Sequence, residues 1–479
     1  MDGASLQFVA FGLVAAIVSN LNRSPVWRSI VLAVASLAFL GFLAKTTVVF
    51  VPLAGFLLLG YVGILLLESK RLRSAVAVII VVVFAYIWLK KYTFISHRIF
   101  LQFPYSTLGL SYIFFRVMHL VIEAGGNREK RRSIGPGRYL LYTLNFTTFI
   151  SGPIQRYEEF ARDQFVDEPI KLGPRVIGAQ LERIIRGFFK VNVLALVLHA
   201  VQQDELAHLL QPSPLSLRLV AAFELAVVYP FFLYANFSGY IDIVIALARL
   251  MRVRLPENFD RPFSASSFID LWNRWHITLS SWLKTYVYNP LIVALMRRIS
   301  SLTWEPFLSV ICSFVTFFLI GVWHGRTSEF VVYGIILGTG VSINKLWQVG
   351  LTRALGRKGY KALAGKMWYV ALGRGLTFSW FAFSLFWLWA NWKEIRAVFG
   401  SLSQFQWLQV WLAIWLIATT TLAIWEWLRS LVLSIRSVEG PVVSSRYVRV
   451  VFATGLGLVA IAVTMLLNQA APDIVYKGF

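Results

Sequence analysis

Charge is scarce in this sequence. Asp, Glu, Lys and Arg together make up 14% of its 479 residues, where soluble domains carry about 25%. With 58% hydrophobic residues, that scarcity excludes an ordinary soluble globular protein and a disordered chain. Cysteine is scarcer still: Cys312 stands alone in an apolar run, so no intrachain disulfide forms and a disulfide-stapled secreted domain is excluded. The six histidines are read as forming no His-x-x-x-His or Glu-x-x-His pair of the zinc-enzyme type, and with no cysteine pair there is little support for a metal site. Walker-type phosphate loops and dinucleotide fingerprints are also missing, which argues against an ATPase or a dehydrogenase. Acidic residues are half as many as basic ones, 23 against 46, giving a net charge of +23. In a helical membrane protein that excess collects in cytoplasmic loops and against anionic headgroups, so no nucleic-acid partner is expected and membrane lipids are.

What the sequence has in abundance is long apolar runs. Uncharged stretches cover 29–44, 46–67, 74–89, 99–115, 139–150, 307–323, 330–343, 375–392, 397–425 and 450–472. Further spans with isolated polar residues are expected at 6–19, 187–203, 216–235 and 237–250. Runs of this kind exclude a β-barrel, whose strands of about ten residues alternate polar and apolar side chains. At about 20 residues per crossing the chain accommodates about ten to twelve transmembrane helices. The fold class is thus all-α, a polytopic helical membrane domain over 1–479, with the shorter runs re-entrant, interfacial or buried in protein. The opening carries Asp2 and no basic residue before its apolar stretch, so it reads as a retained span and not a cleaved signal. Basic clusters at Lys70/Arg71/Arg73, at Arg128/Lys130/Arg131/Arg132, at Arg297/Arg298 and from Arg353 through Arg357, Lys358, Lys361 and Lys366 to Arg374 mark cytoplasmic loops. Lys90/Lys91 breaks this alternation, because one span separates it from the cluster at 70–73.

Four segments hold polar groups that hydrocarbon does not tolerate unaided. His324 ends an apolar run that begins after Pro306, and Gly321 and Gly325 let a substrate or a neighbouring backbone come close. An imidazole there serves either as a proton acceptor near neutral pH or as an interhelical hydrogen-bonding group. Around His276, Ser267 and Asp270 have the spacing of a capping box. One helix running from there puts Trp272, Trp275, His276, Leu279 and Leu283 on one face and Asn273, Arg274, Ser281 and Lys284 on the other, with an Asp270–Arg274 pair. Its bland alternative is an interfacial anchor. Asp242 in the run Ser238-Gly239-Tyr240-Ile241-Asp242 needs a partner, which Arg252, Arg254 or Arg261 would supply, as scaffold ion pairing or as part of a site. The turn Gly152-Pro153-Ile154-Gln155-Arg156-Tyr157 follows an apolar run as a helix end would. Arg116 and His119 put polar groups into a further apolar segment, as acceptor contacts or as local structure.

Taken in order, Gly152–Tyr157, Phe237–Asp242, Pro256-Glu257-Asn258-Phe259 with Arg261-Pro262-Phe263, Trp272-Asn273-Arg274-Trp275-His276 and Gly321-Val322-Trp323-His324-Gly325 resemble the membrane-bound O-acyltransferase family. The likeness is to its bacterial branch, which holds the membrane subunit of alginate O-acetylation and the D-alanyl transfer protein of teichoic acids. It covers about residues 100 to 350. The resemblance implies helices around a central chamber with a cytoplasmic funnel. It also implies catalytic histidines at His324 and His276, the first acting as general base on an acceptor hydroxyl that attacks an acyl thioester. On the same footing Asn273, Arg274, Trp272, Trp275, Trp323, Ser238, Tyr240, Asp242 and Arg156 are the expected substrate contacts. No bound cofactor is expected; the donor is an acyl-coenzyme A, with acetyl-coenzyme A preferred, or an acyl carrier. The acceptor is a polysaccharide of the bacterial envelope beyond the plasma membrane, reached through a separate partner, because no hydrolase-like domain is fused. D-alanyl or longer-chain transfer, a flippase of lipid-linked substrate and a silent scaffold are the competing readings.

Overall fold

The computed structural model describes residues 5–43, 46–67, 72–101, 105, 107–299, 304–439 and 446–467. Lys70 and Arg71, Asp2 and the end of the 450–472 run lie outside the described residues, as does the Arg73 side chain. The described residues are helical, with one isolated bridge in place of a sheet. Among the described residues seven helices are long and apolar enough to cross a membrane: Pro25–Leu43, Val48–Leu66, Pro174–Leu210, Leu215–Leu250, Glu305–His324, Ser328–Ala364 and Gln404–Leu431. Shorter apolar helices at Leu6–Ser19, Ser74–Lys90 and Val448–Val463 accompany them. The protein is therefore an all-α, multi-pass membrane protein.

Contacts divide the chain into two compact units. The first comprises Met1–Asn192, Phe237–Glu257 and Ala460–Phe479; the second comprises Val193–Asn236 and Asn258–Val459. The expected spans at 216–235 and 237–250 form one continuous helix, Leu215–Leu250, with Pro230 inside it.

In the first unit the apolar run 139–150 is not a span. It forms an eight-residue helix, Pro136–Thr143, buried at Tyr139, Tyr142 and Thr143, and a short buried 3-10 turn, Phe146–Thr148. Irregular backbone survives at membrane depth only when protein satisfies its polar groups, and Arg116 does so. Its guanidinium donates to the carbonyls of Tyr142 (3.3 Å), Thr143 (2.6 Å) and Thr148. His119 accepts the Tyr157 N–H at 3.1 Å and so receives the start of the helix Tyr157–Gln164. Both residues serve local structure. Lys90 is buried with its ammonium on Ser111 Oγ at 2.8 Å. It is thus no loop charge, which removes half of the conflict with the alternation of basic clusters.

The second unit has an aromatic core in which Phe378, Phe386, Val398, Val410 and Ile414 pack together. Its helix Glu305–His324 carries Pro306 in the first turn, where the missing N–H costs nothing. A tight turn leads into the helix Ser328–Ala364. The two cross on bare glycine: a Cβ on Gly321 would lie 2.1 Å from Gly334 Cα, and one on Gly334 would lie 2.5 Å from the Phe318 carbonyl. Glu329, buried at the turn, accepts the Trp392 N–H at 2.9 Å and pins the start of the second helix.

Candidate active site

The glycine crossing decides where His324 sits. It is the last residue of its helix and 1% exposed, with Trp323 beside it (ring centroids 4.9 Å apart) and Tyr333 of the next helix at 5.7 Å. Trp323 also meets His276 edge-on at 6.3 Å. The indole is therefore the shared neighbour of both histidines.

His276 does not lie within one long helix. The expected helix from 268 to 284 is broken into Phe268–Trp272 and Ile277–Leu283, with His276 between them in the left-handed region at φ 46°. The cause is a strap from Asn258–Asp260 that pairs antiparallel with 274–278. Asp260 N–H donates to the Arg274 carbonyl at 2.9 Å, and Ile277 N–H donates to the Asn258 carbonyl at 3.0 Å. The Asn258 side chain completes the strap. Its Oδ1 accepts from Thr278 N–H (3.1 Å) and Thr278 Oγ1 (2.9 Å), and it faces His276 Nδ1 at 3.3 Å. Because a backbone N–H donates to it, that atom is the amide oxygen, so His276 Nδ1 carries the proton and Nε2 the lone pair. Burial pulls the His276 pKa down to about 3, and the imidazole is neutral at physiological pH.

The expected division of faces survives the break. Trp272, Trp275, Leu279 and Leu283 are buried, Asn273, Ser281 and Lys284 exposed, and Arg274 half-buried. Trp272 packs edge-on to Phe317 of the His324 helix at 5.2 Å; Trp275 packs on Phe259 at 5.1 Å and Phe381 at 5.0 Å. Ser267 caps the first short helix through Asp270 N–H, and Arg274 Nε pairs with Asp270 at 3.0 Å. Asn258 and Tyr333 complete this cluster and were not singled out from the sequence. The signal for Asn258 was its motif, and for Tyr333 its place beside Gly334.

Arg156, Ser238, Tyr240 and Asp242 belong to the first unit. Arg156 is exposed, Ser238 and Tyr240 are buried, and Tyr240 packs on Phe8 at 6.4 Å. Asp242 pairs with neither Arg252, Arg254 nor Arg261 but with Arg183 Nε (2.8 Å) and Lys190 Nζ (2.7 Å). Arg183 continues to Glu257. A second glycine contact explains the difference: Gly187 and Gly239 bring their backbones together, a Cβ on Gly187 falling 2.6 Å from the Gly239 carbonyl. That contact sets Arg183 and Lys190 on either side of Asp242. Arg254 instead pairs with Asp163 at 2.6 Å. Among the described residues no three His, Cys, Asp or Glu side chains gather as a metal site requires. The one Glu-x-x-His spacing, Glu205–His208, is an ion-pair contact of 3.8 Å with the imidazole exposed.

A multi-pass helical membrane protein that buries two histidines around one indole is the class that fold and site define. Residues 89–378 match the model of MBOAT, the membrane-bound O-acyltransferase family. The chain belongs to that family. Among its relatives it is 31% identical over 278 residues to the teichoic acid D-alanyltransferase of Streptococcus thermophilus, covering 57% of this chain and 65% of that protein. It is 33% identical over 214 residues to the peptidoglycan O-acetyltransferase of Helicobacter pylori, covering 44% and 37%. It is 32% identical over 239 residues to the probable alginate O-acetylase AlgI of Pseudomonas fluorescens, covering 50% and 44%. The matched stretch thus spans less than two thirds of each of these proteins.

Proposed function

We propose that the protein is an O-acyltransferase that moves an acetyl group from acetyl-coenzyme A on the cytoplasmic side to a hydroxyl of an envelope polysaccharide. The observation that carries this reading is the pair of buried histidines on Trp323, in a chain of this family. His324 acts as general base, taking the hydroxyl proton as the oxygen attacks the thioester carbonyl carbon. The carbon–sulfur bond then breaks, and the proton leaves with the sulfur, so an ester and a free thiol are the products. His276 is neutral and oriented by Asn258, and supports the site as a hydrogen-bonding group. Trp272, Trp275 and Trp323 shape its apolar wall, while Asn273 and Arg274 face the donor. Asp242 acts through the ion-pair network that holds its helix. A separate membrane or extracytoplasmic partner completes transfer to the polysaccharide. Transfer of D-alanyl from a carrier protein is the second reading, favoured by the likeness to teichoic acid D-alanyltransferases.

The test is the O-acyl ester content of envelope polysaccharides in a deletion strain complemented with wild type or with His324→Ala at matched membrane abundance. Loss of a general base costs about 10²–10⁴ in rate, so esters return with wild type alone. Equal restoration by both would defeat the assignment and favour a transporter or scaffold. Turnover by purified protein only with a loaded carrier or a long-chain thioester would overturn the acetyl donor.

A further inference from the structure

A cavity of the second unit lies away from the histidines. It measures about 720 Å³ and is walled by Trp347, Trp368, Leu376, Trp380, Trp411 and Trp415; neither His276, Trp323 nor His324 reaches it. That volume lies in the range of pockets that enclose small ligands, about 300–1,000 Å³. A site so apolar and so separate from the reacting groups does not present a thioester to His324.

One of its walls borders a basic segment. The helix Ser328–Ala364 breaks at Gly356, whose φ of 70° is left-handed, and the segment after the break mixes cavity-lining and basic residues. Tyr360, Leu363 and Ala364 line the cavity, while Arg357, Lys358 and Lys361 beside them are exposed, as is Lys366 just beyond. Basic side chains of this kind settle at the cytoplasmic headgroup level, where each is attracted to anionic lipid. The floor is tied to the motif helix: Phe268 lines the cavity, and Asn344 in its wall accepts the Ile269 N–H at 3.0 Å.

We infer that this cavity is a site for one anionic glycerophospholipid of the inner leaflet, a tail lying among the tryptophans and the phosphate on the segment after Gly356. The occupant braces the Phe268–Trp272 helix through Phe268 and Asn344. The inference stands apart from the identity of the transferred acyl group.

The test uses the full chain in phosphatidylcholine nanodiscs with a phosphatidylglycerol probe bearing a photoactivatable diazirine near the end of one tail. The expected cross-links fall in peptides spanning 368–380 and 404–431, and unlabelled phosphatidylglycerol competes about tenfold better than phosphatidylcholine, as a few headgroup contacts require. Leu376→Trp fills the cavity and abolishes those cross-links. Arg357→Gln combined with Lys361→Gln, both at exposed positions, keeps the fold and removes the preference for the anionic lipid even if Leu376→Trp fails to fold. Labelling spread evenly over the lipid-facing helices, equal competition by the two lipids, or competition by palmitoyl-coenzyme A and not by phosphatidylglycerol would each overturn the inference.

Discussion

A buried neutral histidine couples stability to pH with a definite sign. His276 has a folded pKa near 3, below the value of about 6.5 it has when unfolded. The unfolded chain therefore binds the extra proton first as pH falls, and stability rises with pH between about 3 and about 6.5 and is flat above. Within that window the slope approaches about 1.4 kcal/mol per pH unit for one group. Unfolding of the purified protein in one detergent at pH 7 and pH 5 measures it, and His276→Gln is expected to be the less pH-sensitive protein. An unchanged slope in the variant would assign the titration elsewhere. Asn258 carries a second consequence, since its Oδ1 accepts from both Thr278 groups and faces His276. Asn258→Leu leaves buried donors unsatisfied at about 1–3 kcal/mol each, and is expected to lower both the melting temperature and acyl transfer.

Two helices can approach as closely as the His324 helix and its successor only where neither carries a side chain. On Gly334 a Cβ would meet the Phe318 carbonyl at 2.5 Å, a backbone atom with no rotamer to change, whereas on Gly350 of the same helix it would meet nothing within 4 Å. Gly334→Ala is thus expected to cost about 1–3 kcal/mol and to shift His324, while Gly350→Ala is neutral or gains up to about 1 kcal/mol from backbone entropy. Melting and activity of the two variants, compared side by side, separate close packing from helix propensity. The same pair of elements marks how far the sequence can be read. Pro306, the apolar run and the glycines at 321 and 325 delimit the His324 helix correctly, because start signal, period and close approach are all local. The break at His276 was not legible in the 268–284 period, because the strap that imposes it comes from Asn258, 18 residues away in sequence. Likewise the run 139–150 has the composition of a span, and only Arg116 and the buried turn after Thr143 make it something else. Asp242 announced its need for a partner, but the partners were chosen by a glycine contact between two distant helices. Periodicity therefore located the buried faces, while the tertiary contacts that aim the histidines lay beyond it.

At the scale of the whole molecule, the excess of 46 basic over 23 acidic residues orients the chain, because basic loops stay on the cytoplasmic side. The helix Ser328–Ala364 ties that rule to the candidate site. From Ser328 to its break at Gly356 it runs about 40 Å at roughly 1.5 Å per residue, more than the about 30 Å of bilayer hydrocarbon. It is thus long enough for its two ends to lie on opposite faces, with Arg357, Lys358 and Lys361 following one end and Arg326, two residues beyond His324, preceding the other. If the basic end is inside, as the positive-inside rule expects, His324 approaches the extracytoplasmic face, the side from which the proposed polysaccharide hydroxyl would come. The sole native cysteine, Cys312, is buried, which leaves a silent background for a direct check. Lys361→Cys is expected to react with a membrane-impermeant maleimide only in inverted vesicles, and Arg326→Cys only in right-side-out ones. Labelling of both from one side would mean that the helix does not cross; labelling with the sides exchanged would put the histidines toward the donor and require the acceptor to travel inward to meet them.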